Sequence, residues 1–183
     1  MESIVSKKAL LEQMAASAAR ELQPDHPLDS AEQIAVARAG FHQIEWLAGE
    51  PEPVFHVSGR QIPGPHGPIA LRLYQPQEAT SLPVLVYLHG GGFVMGDLDT
   101  HDRPLRQLAN RSGWLIVSVD YHLAPEHPFP TGLEDAYTAM QWVFTHASEI
   151  NADPGRLTVG GDSAGGLLAT VAAMMARDRE GRP

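Results

Sequence analysis

Apolar and polar residues follow two different periods along the chain, and the change between them predicts two parts. Over residues 1–50 the apolar positions recur every three or four residues, which is typical of amphipathic helices. From residue 51 onward, short apolar runs of strand length alternate with helical patterns, which is typical of βα units. The pattern predicts an amino-terminal helical part, residues 1–50, followed by an α/β part, residues 51–183.

Two helices are predicted in the amino-terminal part. The first spans Lys7–Arg20 and carries leucine, methionine and alanine at helical spacing. The second begins after Ser30, because Ser30 and Gln33 have the spacing of a capping box. Its apolar stripe is formed by Ile34, Ala37, Phe41 and Ile44. The prolines of Pro51–Pro53 end this second helix.

The α/β part begins with a predicted hairpin. Strands Val54–Ser58 and Ile69–Tyr74 flank the loop Pro63–Pro68, whose prolines and glycines are a strong turn signal. The elements that follow are the strand Val84–Leu88, a helix near Thr100–Arg111, the strand Trp114–Asp120, a helix near Leu133–Thr145, the strand Leu157–Gly160 and a helix over Ala164–Arg177. Because strands joined by crossover helices lie parallel, we predict a mostly parallel sheet after the hairpin.

Composition narrows the functional classes before any motif is considered. The chain has 183 residues, of which 43% are hydrophobic and 19% charged, so it is long enough for one globular core. A net charge of −9 disfavours nucleic acid and anionic membrane as partners. The chain has no cysteine, its nine histidines are scattered, and no signal peptide or membrane span is visible. We therefore expect a cytoplasmic protein with no metal and no integral membrane association.

Ser163 stands in a G-x-S-x-G pattern between a predicted strand and a predicted helix. Gly161 and Gly165 flank it at positions where a Cβ would collide with the strand-to-helix reversal. Ser163 can then adopt a strained backbone conformation with its hydroxyl projecting outward. The pattern predicts a nucleophile, which needs a base to take its proton and donors to stabilise an oxyanion.

A second glycine-rich motif follows the strand Val84–Leu88. Its three consecutive glycines allow the backbone to approach a tetrahedral carbon closely and to turn N–H groups inward. We predict the N–H groups of Gly91 and Gly92, together with that of Ala164, as oxyanion donors. Each motif alone also occurs in plain loops, but both occur here in the expected strand and loop context and in the expected order.

These two motifs, HGGGF at His89–Phe93 and GDSAGG at Gly161–Gly166, resemble those of the hormone-sensitive-lipase-like esterases and lipases of the α/β-hydrolase fold. Three further stretches extend the resemblance over roughly residues 54–177: Gly96–Asp102, Asp120–Pro130 and Asn151–Arg156. The resemblance implies an α/β-hydrolase core in which the amino-terminal helices form a cap over the acyl pocket. The alternative is that these helices pack as ordinary outer helices.

The resemblance also implies a chemistry. It points to a serine carboxylester hydrolase that acts on small-molecule esters, with short to medium acyl or aryl groups, and needs no metal or organic cofactor. Ser163 would be the nucleophile, with the oxyanion donors already named. The turn around the nucleophile and its supporting loop would comprise Gly161, Asp162, Gly165, His89 and Gly90.

In this family the acid and the histidine of the triad follow the serine in the chain. The residues after Ser163 include Asp178 and Glu180 but no histidine. The chain is therefore expected to represent the amino-terminal portion of a hydrolase, incomplete at the carboxyl end, and to lack efficient turnover by itself. We do not expect a substitute base among the loop histidines, because the scaffold fixes where a base must stand. These histidines are His89, His101, His122 and His127.

In the stretch Asp120–Pro130, the family usually has arginine after the tyrosine. Here the residue after Tyr121 is His122, which departs from that pattern. An imidazole does not replace a bidentate guanidinium, so a supporting ion pair is expected to be weaker here. We predict a structural role for the His122 loop and no catalytic role for His122.

Two other interpretations stay open. One is a non-catalytic binding protein on the same scaffold, as in the plant gibberellin receptors, which have lost the triad histidine; the intact serine and glycine loop argue against it. The other is a truncated gene product. If nothing follows the last helix, the strand Leu157–Gly160 becomes an apolar edge, which predicts marginal stability alone or pairing with another chain, for example as a homodimer.

Overall fold

The computed structural model describes residues 30–43 and 48–180 of the chain. The chain divides into two compact units, Met1–Gly40 and Phe41–Pro183. The predicted helix Lys7–Arg20 and the stripe residue Ile44 lie outside the described residues. The domain boundary at residue 50 and the cap role of the amino-terminal helices stay predictions.

Helix α1 spans Ala31–His42 and begins at the predicted capping box. The Gln33 N–H donates to Ser30 Oγ at 3.2 Å, and the Ser30 N–H donates to Gln33 Oε1 at 3.3 Å. The two residues thus satisfy each other's unpaired donors at the start of the helix, which confirms the prediction for this helix start.

The remaining elements form a five-stranded sheet covered by three helices. The strands are β1 His56–Gly64, β2 Gly67–Gln75, β3 Leu82–Leu88, β4 Leu115–Asp120 and β5 Ala152–Gly161. The helices are α2 Asp102–Ser112, α3 Thr131–Thr145 and α4 Ser163–Glu180, with a short 3₁₀ turn at Ala147–Ile150. The strand order is β1-β2-β4-β3-β5.

The sheet is mixed, and its parallel part is the part predicted from the βα pattern. β3 lies parallel to β4 on one side and to β5 on the other, and α2 and α3 are the crossover helices. β2 pairs antiparallel with both β1 and β4. Within the described residues β5 is hydrogen-bonded on one side only, to β3.

The predicted hairpin is confirmed, but its predicted loop was too long. β1 and β2 pair as far as Gly64 opposite Gly67, so Pro63 and Pro68 lie within the strands. These prolines are tolerated because β1 is the outer strand and β2 pairs with β4 only from Ala70 onward, so neither missing N–H breaks an inner ladder. Gly67 closes the tight turn with φ of 136°, which favours glycine.

The predicted start of the last strand was also wrong. β5 begins at Ala152, which pairs with Leu82, and the pairing resumes at Leu157 opposite Val84 after a bulge. Residues 153–156, with their Asp-Pro-Gly turn signal, form this bulge and do not end the strand.

Alternate residues of β3 fill two separate apolar layers. Val84, Val86 and Leu88 are fully buried in the cluster that includes residues of α3 and α4. Leu85 and Tyr87 pack on the opposite face, in the cluster with Leu105 of α2 and Ile116 of β4. Since both faces of β3 are covered, its sequence is an almost continuous apolar run, as expected for a central parallel strand. This packing fixes the end of β3, from which the glycine loop departs.

Candidate active site

The two glycine-rich motifs leave the sheet side by side. Leu88, the last residue of β3, pairs with Gly161, the last residue of β5. His89 therefore begins the glycine loop next to the point where Asp162 begins the turn around Ser163. Because the carboxyl ends of neighbouring parallel strands meet at one edge of the sheet, motifs that are 72 residues apart become neighbours.

Ser163 lies at the junction of β5 and α4 with a positive φ of 49°. This conformation is uncommon for a residue with a side chain and stores strain in the turn. A Cβ on Gly161 or on Gly165 would collide with the Leu88 carbonyl oxygen. Both glycines are thus required because the turn approaches the backbone of β3 more closely than any side chain allows.

The side chain of Ser163 is exposed and has no hydrogen-bond partner within the described residues. Ala164 is the second residue of α4, where an N–H has no acceptor within the helix. The N–H groups of the next two residues, Gly165 and Gly166, donate to the Asp162 carbonyl at 2.8 and 3.3 Å. Within the described residues, the N–H of Ala164 donates no backbone hydrogen bond and is available beside the serine.

The carbonyl groups of the glycine loop are held in place. The Gly90 carbonyl accepts a hydrogen bond from His89 Nδ1 at 2.8 Å. The Gly91 carbonyl accepts from the N–H groups of Val94 at 3.1 Å and Met95 at 2.8 Å. In the described part of the chain, neither the Gly91 N–H nor the Gly92 N–H donates a backbone hydrogen bond. The positive φ values of Gly91 and Gly92, 126° and 63°, explain why glycine is needed at both positions.

His89 is a buried neutral imidazole. Its ring is stacked on that of Tyr121, with centroids 4.3 Å apart, and its pKa is lowered to about 4 by burial. Since the Gly90 carbonyl can only accept, the proton of the neutral ring is on Nδ1. Nε2 is buried without a hydrogen-bond partner in the described residues. His89 thus shapes the loop and does not act as an available base.

Asp162 links the two motifs. Its Oδ1 accepts hydrogen bonds from the Gly90 N–H and from the Tyr87 hydroxyl, both at 2.8 Å, and lies 3.4 Å from His101 Nε2. Burial opposes ionisation of this carboxyl, but the contacts with His101 and Tyr87 outweigh it and hold its pKa well below the usual range. A Cβ on Gly90 would collide with the carboxylate, which explains this glycine.

His122, His127 and Asp178, which were also named from the sequence, have partners of their own. His122 Nδ1 lies 2.6 Å from Asp135 Oδ2, and its backbone N–H donates to the same oxygen at 2.9 Å. The ring of His127 packs against that of His122, with centroids 4.4 Å apart. Asp178 pairs with Arg177 on the exposed surface of α4 at 2.7 Å. The side chain of Glu180 lies outside the described residues.

Sequence reasoning assigned no contact with the candidate site to three residues that make one: Tyr87, His101 and Tyr121. Tyr87 is the last residue but one of β3, and Tyr121 is the first residue after β4. In the sequence, both look like ordinary core positions. The Tyr121 hydroxyl donates to the His89 carbonyl at 2.7 Å. The signals that could have found them are a tyrosine at the carboxyl end of a central strand and, for Tyr121, its place in the stretch Asp120–Pro130.

Residues 30–43 and 48–180 contain no group of three or more histidines and acids placed to hold a metal ion. No helix in the described part of the chain is long and apolar enough to cross a membrane.

The strained serine turn, the glycine loop and the parallel strands that carry them define an α/β hydrolase. A protein-family model described as the alpha/beta hydrolase fold matches residues 85–183, more than half of the chain, and the chain belongs to that family. The fold class and the family resemblance predicted from the motifs are therefore confirmed.

Esterases are among the relatives in sequence and in structure. The chain is 52% identical to Esterase LipI of Mycobacterium tuberculosis over 134 residues, which are 72% of this chain and 42% of LipI. It is 43% identical to Carboxylesterase NlhH of the same bacterium over 157 residues, 84% of this chain and 49% of NlhH. The chain thus spans about half the length of these curated relatives.

A solved relative has the same fold. The hyperthermophilic esterase from the archaeon Pyrobaculum calidifontis matches with a TM-score of 0.81 and 45% sequence identity, over 94% of this chain and 54% of that chain. The structural similarity therefore extends over nearly all of this chain.

Proposed function

We propose that this chain carries the nucleophile and the oxyanion donors of a serine carboxylester hydrolase that acts on short to medium acyl or aryl esters. The observation that carries the proposal is the positive-φ conformation of Ser163, at a turn bonded through Asp162 to a glycine loop with unpaired N–H groups. The relatives named as esterases support an ester as the small-molecule substrate.

In the proposed reaction, Ser163 Oγ attacks the carbonyl carbon of the ester and a tetrahedral intermediate forms. Its collapse breaks the bond to the alcohol, which leaves after taking up a proton, and the acyl group stays on Ser163. Water then attacks this acyl-enzyme, releases the carboxylic acid and restores the hydroxyl. Neither step needs a metal or an organic cofactor.

The orientation of the glycine loop supports Gly91 and Gly92 as oxyanion donors. In a trans peptide unit the N–H points away from the C=O of the preceding residue. The Gly90 and Gly91 carbonyls are each bonded on the protein side, so the N–H groups of Gly91 and Gly92 face the other way. Donors held in this manner stabilise developing negative charge without reorganising during the reaction.

The proton acceptor for Ser163 is the part of the mechanism that the described residues do not supply. A serine hydroxyl is a weak nucleophile without a base. Oxyanion stabilisation and binding alone can still retain about 10³–10⁴ of acceleration over water, a figure from the best-studied serine protease. We therefore expect this chain to acylate slowly at Ser163 and to turn over poorly.

The test is acylation of the chain by p-nitrophenyl butyrate, followed by nitrophenol release and by mass spectrometry of the protein. We expect a butyryl adduct on Ser163 that is absent from Ser163→Ala and retained by Ser81→Ala, which removes an exposed hydroxyl elsewhere. Equal nitrophenol release by the wild type and Ser163→Ala would refute the proposal. Stoichiometric ester binding with neither adduct nor product would favour a binding protein instead.

The proposal also includes association of two copies. β5 is hydrogen-bonded on one side only within the described residues, and Leu167 and Met174 of α4 are 57% and 47% exposed. We expect either a dimer in sedimentation velocity or a marginally stable monomer, and a monomer with a sharp cooperative melt would contradict this part. A cytoplasmic location stays a prediction from the sequence.

A further inference from the structure

The peptide unit that joins His89 to Gly90 is held at both ends by groups from different elements. Its carbonyl accepts the Tyr121 hydroxyl at 2.7 Å, and its N–H donates to Asp162 Oδ1 at 2.8 Å. Tyr121 follows β4, whereas Asp162 follows β5, so the unit is fixed from both strands that flank β3. Asp162 is part of the GDSAGG motif, whereas Tyr121 lies in the stretch Asp120–Pro130, to which the sequence assigned no contact with the glycine loop.

Tyr121 contacts the loop in a second way. Its ring, 2% exposed, is stacked on the His89 imidazole with an interplanar angle of 16°. That imidazole in turn donates from Nδ1 to the Gly90 carbonyl, which fixes the next peptide unit. One side chain thus supports two consecutive peptide units, the first through its hydroxyl and the second through its ring.

Burial also keeps the hydroxyl in its donating form. It raises the pKa of Tyr121 above its ordinary value, and the nearby carboxylates of Asp162 and Asp120 act in the same direction. The hydroxyl therefore remains protonated across the neutral range. The bond to the His89 carbonyl does not depend on pH under the conditions in which an ester hydrolase would be assayed.

We propose that Tyr121 is a positioning residue for the oxyanion donors. Its hydroxyl fixes the His89–Gly90 peptide, and its ring fixes the imidazole that holds the Gly90–Gly91 peptide, so that the Gly91 N–H group keeps the direction needed by an oxyanion. The proposal rests on the proposed function, since it assigns Tyr121 to the same site. Loss of the hydroxyl leaves the donors present but poorly aligned.

Tyr121→Phe removes the hydroxyl and retains the ring. Its matched control is Tyr137→Phe, because Tyr137 is also buried and its hydroxyl also has a hydrogen bond, with Gln141 Nε2 on α3 at 3.0 Å. The first measurement is amide hydrogen exchange by NMR in the whole chain. The Gly90 N–H is expected to exchange at least about tenfold faster in Tyr121→Phe and unchanged in Tyr137→Phe. Exchange of the Val86 N–H, in the central strand β3, serves as the measure of global unfolding.

The second measurement separates positioning from binding. The maximal rate of Ser163 acylation by p-nitrophenyl butyrate is expected to fall roughly 10- to 100-fold in Tyr121→Phe, because misplaced donors act on the transition state. The half-saturating ester concentration is expected to stay within about threefold, since the hydroxyl is buried against the loop backbone. Tyr137→Phe should match the wild type in both parameters.

Two results would overturn the proposal. One is unchanged Gly90 exchange in Tyr121→Phe. The other is faster exchange at Gly90 and Val86 together, which would make Tyr121 an ordinary core residue. If the wild type shows no acylation at Ser163, the proposed function fails, while the exchange measurement still shows whether Tyr121 holds the loop.

Discussion

Asp162 Oδ1 accepts the Gly90 N–H at 2.8 Å, and this bond joins the turn around Ser163 directly to the glycine loop. The same oxygen accepts a hydrogen bond from the Tyr87 hydroxyl, so the end of strand β3 is included in the link. A side chain on Gly90 would displace the carboxylate. The two motifs that look independent in the sequence therefore form one interlocked unit, and a change in either is expected to disturb the other.

Replacing Asp162 with alanine tests this link. The Gly90 N–H and the Tyr87 hydroxyl lose their common acceptor, so the free energy of unfolding is expected to fall by about 1–3 kcal/mol, toward the lower value because the carboxylate is 48% exposed to water. Asp162→Asn keeps an oxygen at the same place and is expected to lose less. Urea unfolding measures both variants. An alanine variant as stable as the wild type would show that the link contributes nothing.

His89 predicts how stability depends on pH. Its pKa is lowered from 6.5 to about 4 by burial, so between these values the unfolded chain binds more protons than the folded chain. The contribution of neutral His89 to the free energy of unfolding is therefore fully present above about pH 6.5. It is lost as the pH falls toward 4, by roughly 3 kcal/mol. Asp162 acts in a lower window, because its depressed pKa affects stability only below about pH 4.

The measurement is urea unfolding of the wild type and of His89→Asn between pH 7 and pH 4. Asparagine retains a donor near the position of Nδ1 but does not titrate in this range. The wild type is expected to lose stability relative to the variant as the pH falls. Parallel pH profiles for the two proteins would contradict the assignment of this dependence to His89.

The backbone around Gly165 leaves no room for a side chain at this position of the turn. An alanine Cβ there would collide with the Leu88 carbonyl group and with the His89 carbonyl oxygen, which are backbone groups at the carboxyl end of the central strand β3. Since these atoms cannot move aside, Gly165→Ala is expected to lose about 3 kcal/mol or more. Gly59→Ala is the control, because the nearest atom to its added Cβ is 4.0 Å away. Thermal unfolding compares the two variants. Closely similar melting temperatures would show that the turn can accommodate a side chain at Gly165.

The sequence predicted the elements that have a strong local signal. The capping box at Ser30, the hairpin, the crossover helices and the position of Ser163 at a strand-to-helix junction all follow from short spacings. What it missed depends on contacts between distant residues. Tyr121 is 32 residues from the carbonyl it holds, and Tyr87 is 75 residues from Asp162, so neither leaves a local pattern.

The start of β5 was missed for a related reason. Residues 153–156 contain a turn signal, but the strand continues through them because Leu82 and Val84 of β3 pair on either side of the bulge. The interaction with a neighbouring strand overrode the local preference there.

The pair formed by His122 and Asp135 gives a last prediction, away from Ser163. Asp135 is fully buried, and its Oδ2 accepts both the ring and the backbone N–H of His122, whereas Oδ1 has no partner in the described residues. Asp135→Ala leaves the partly buried N–H of His122 without this acceptor, which is expected to cost about 1–3 kcal/mol, toward the lower value because water can reach the site.

Asp178→Ala is the control for that variant, because it removes a carboxylate whose pair with Arg177 is largely exposed to water. Surface pairs of this kind contribute little to stability, so the control is expected to unfold almost as the wild type does. Urea midpoints at pH 7 compare the two. A large loss for Asp135→Ala would show that histidine, in place of the family's arginine, still anchors this loop through a buried carboxylate. A midpoint like that of Asp178→Ala would mean that the loop is held by its prolines and apolar contacts alone.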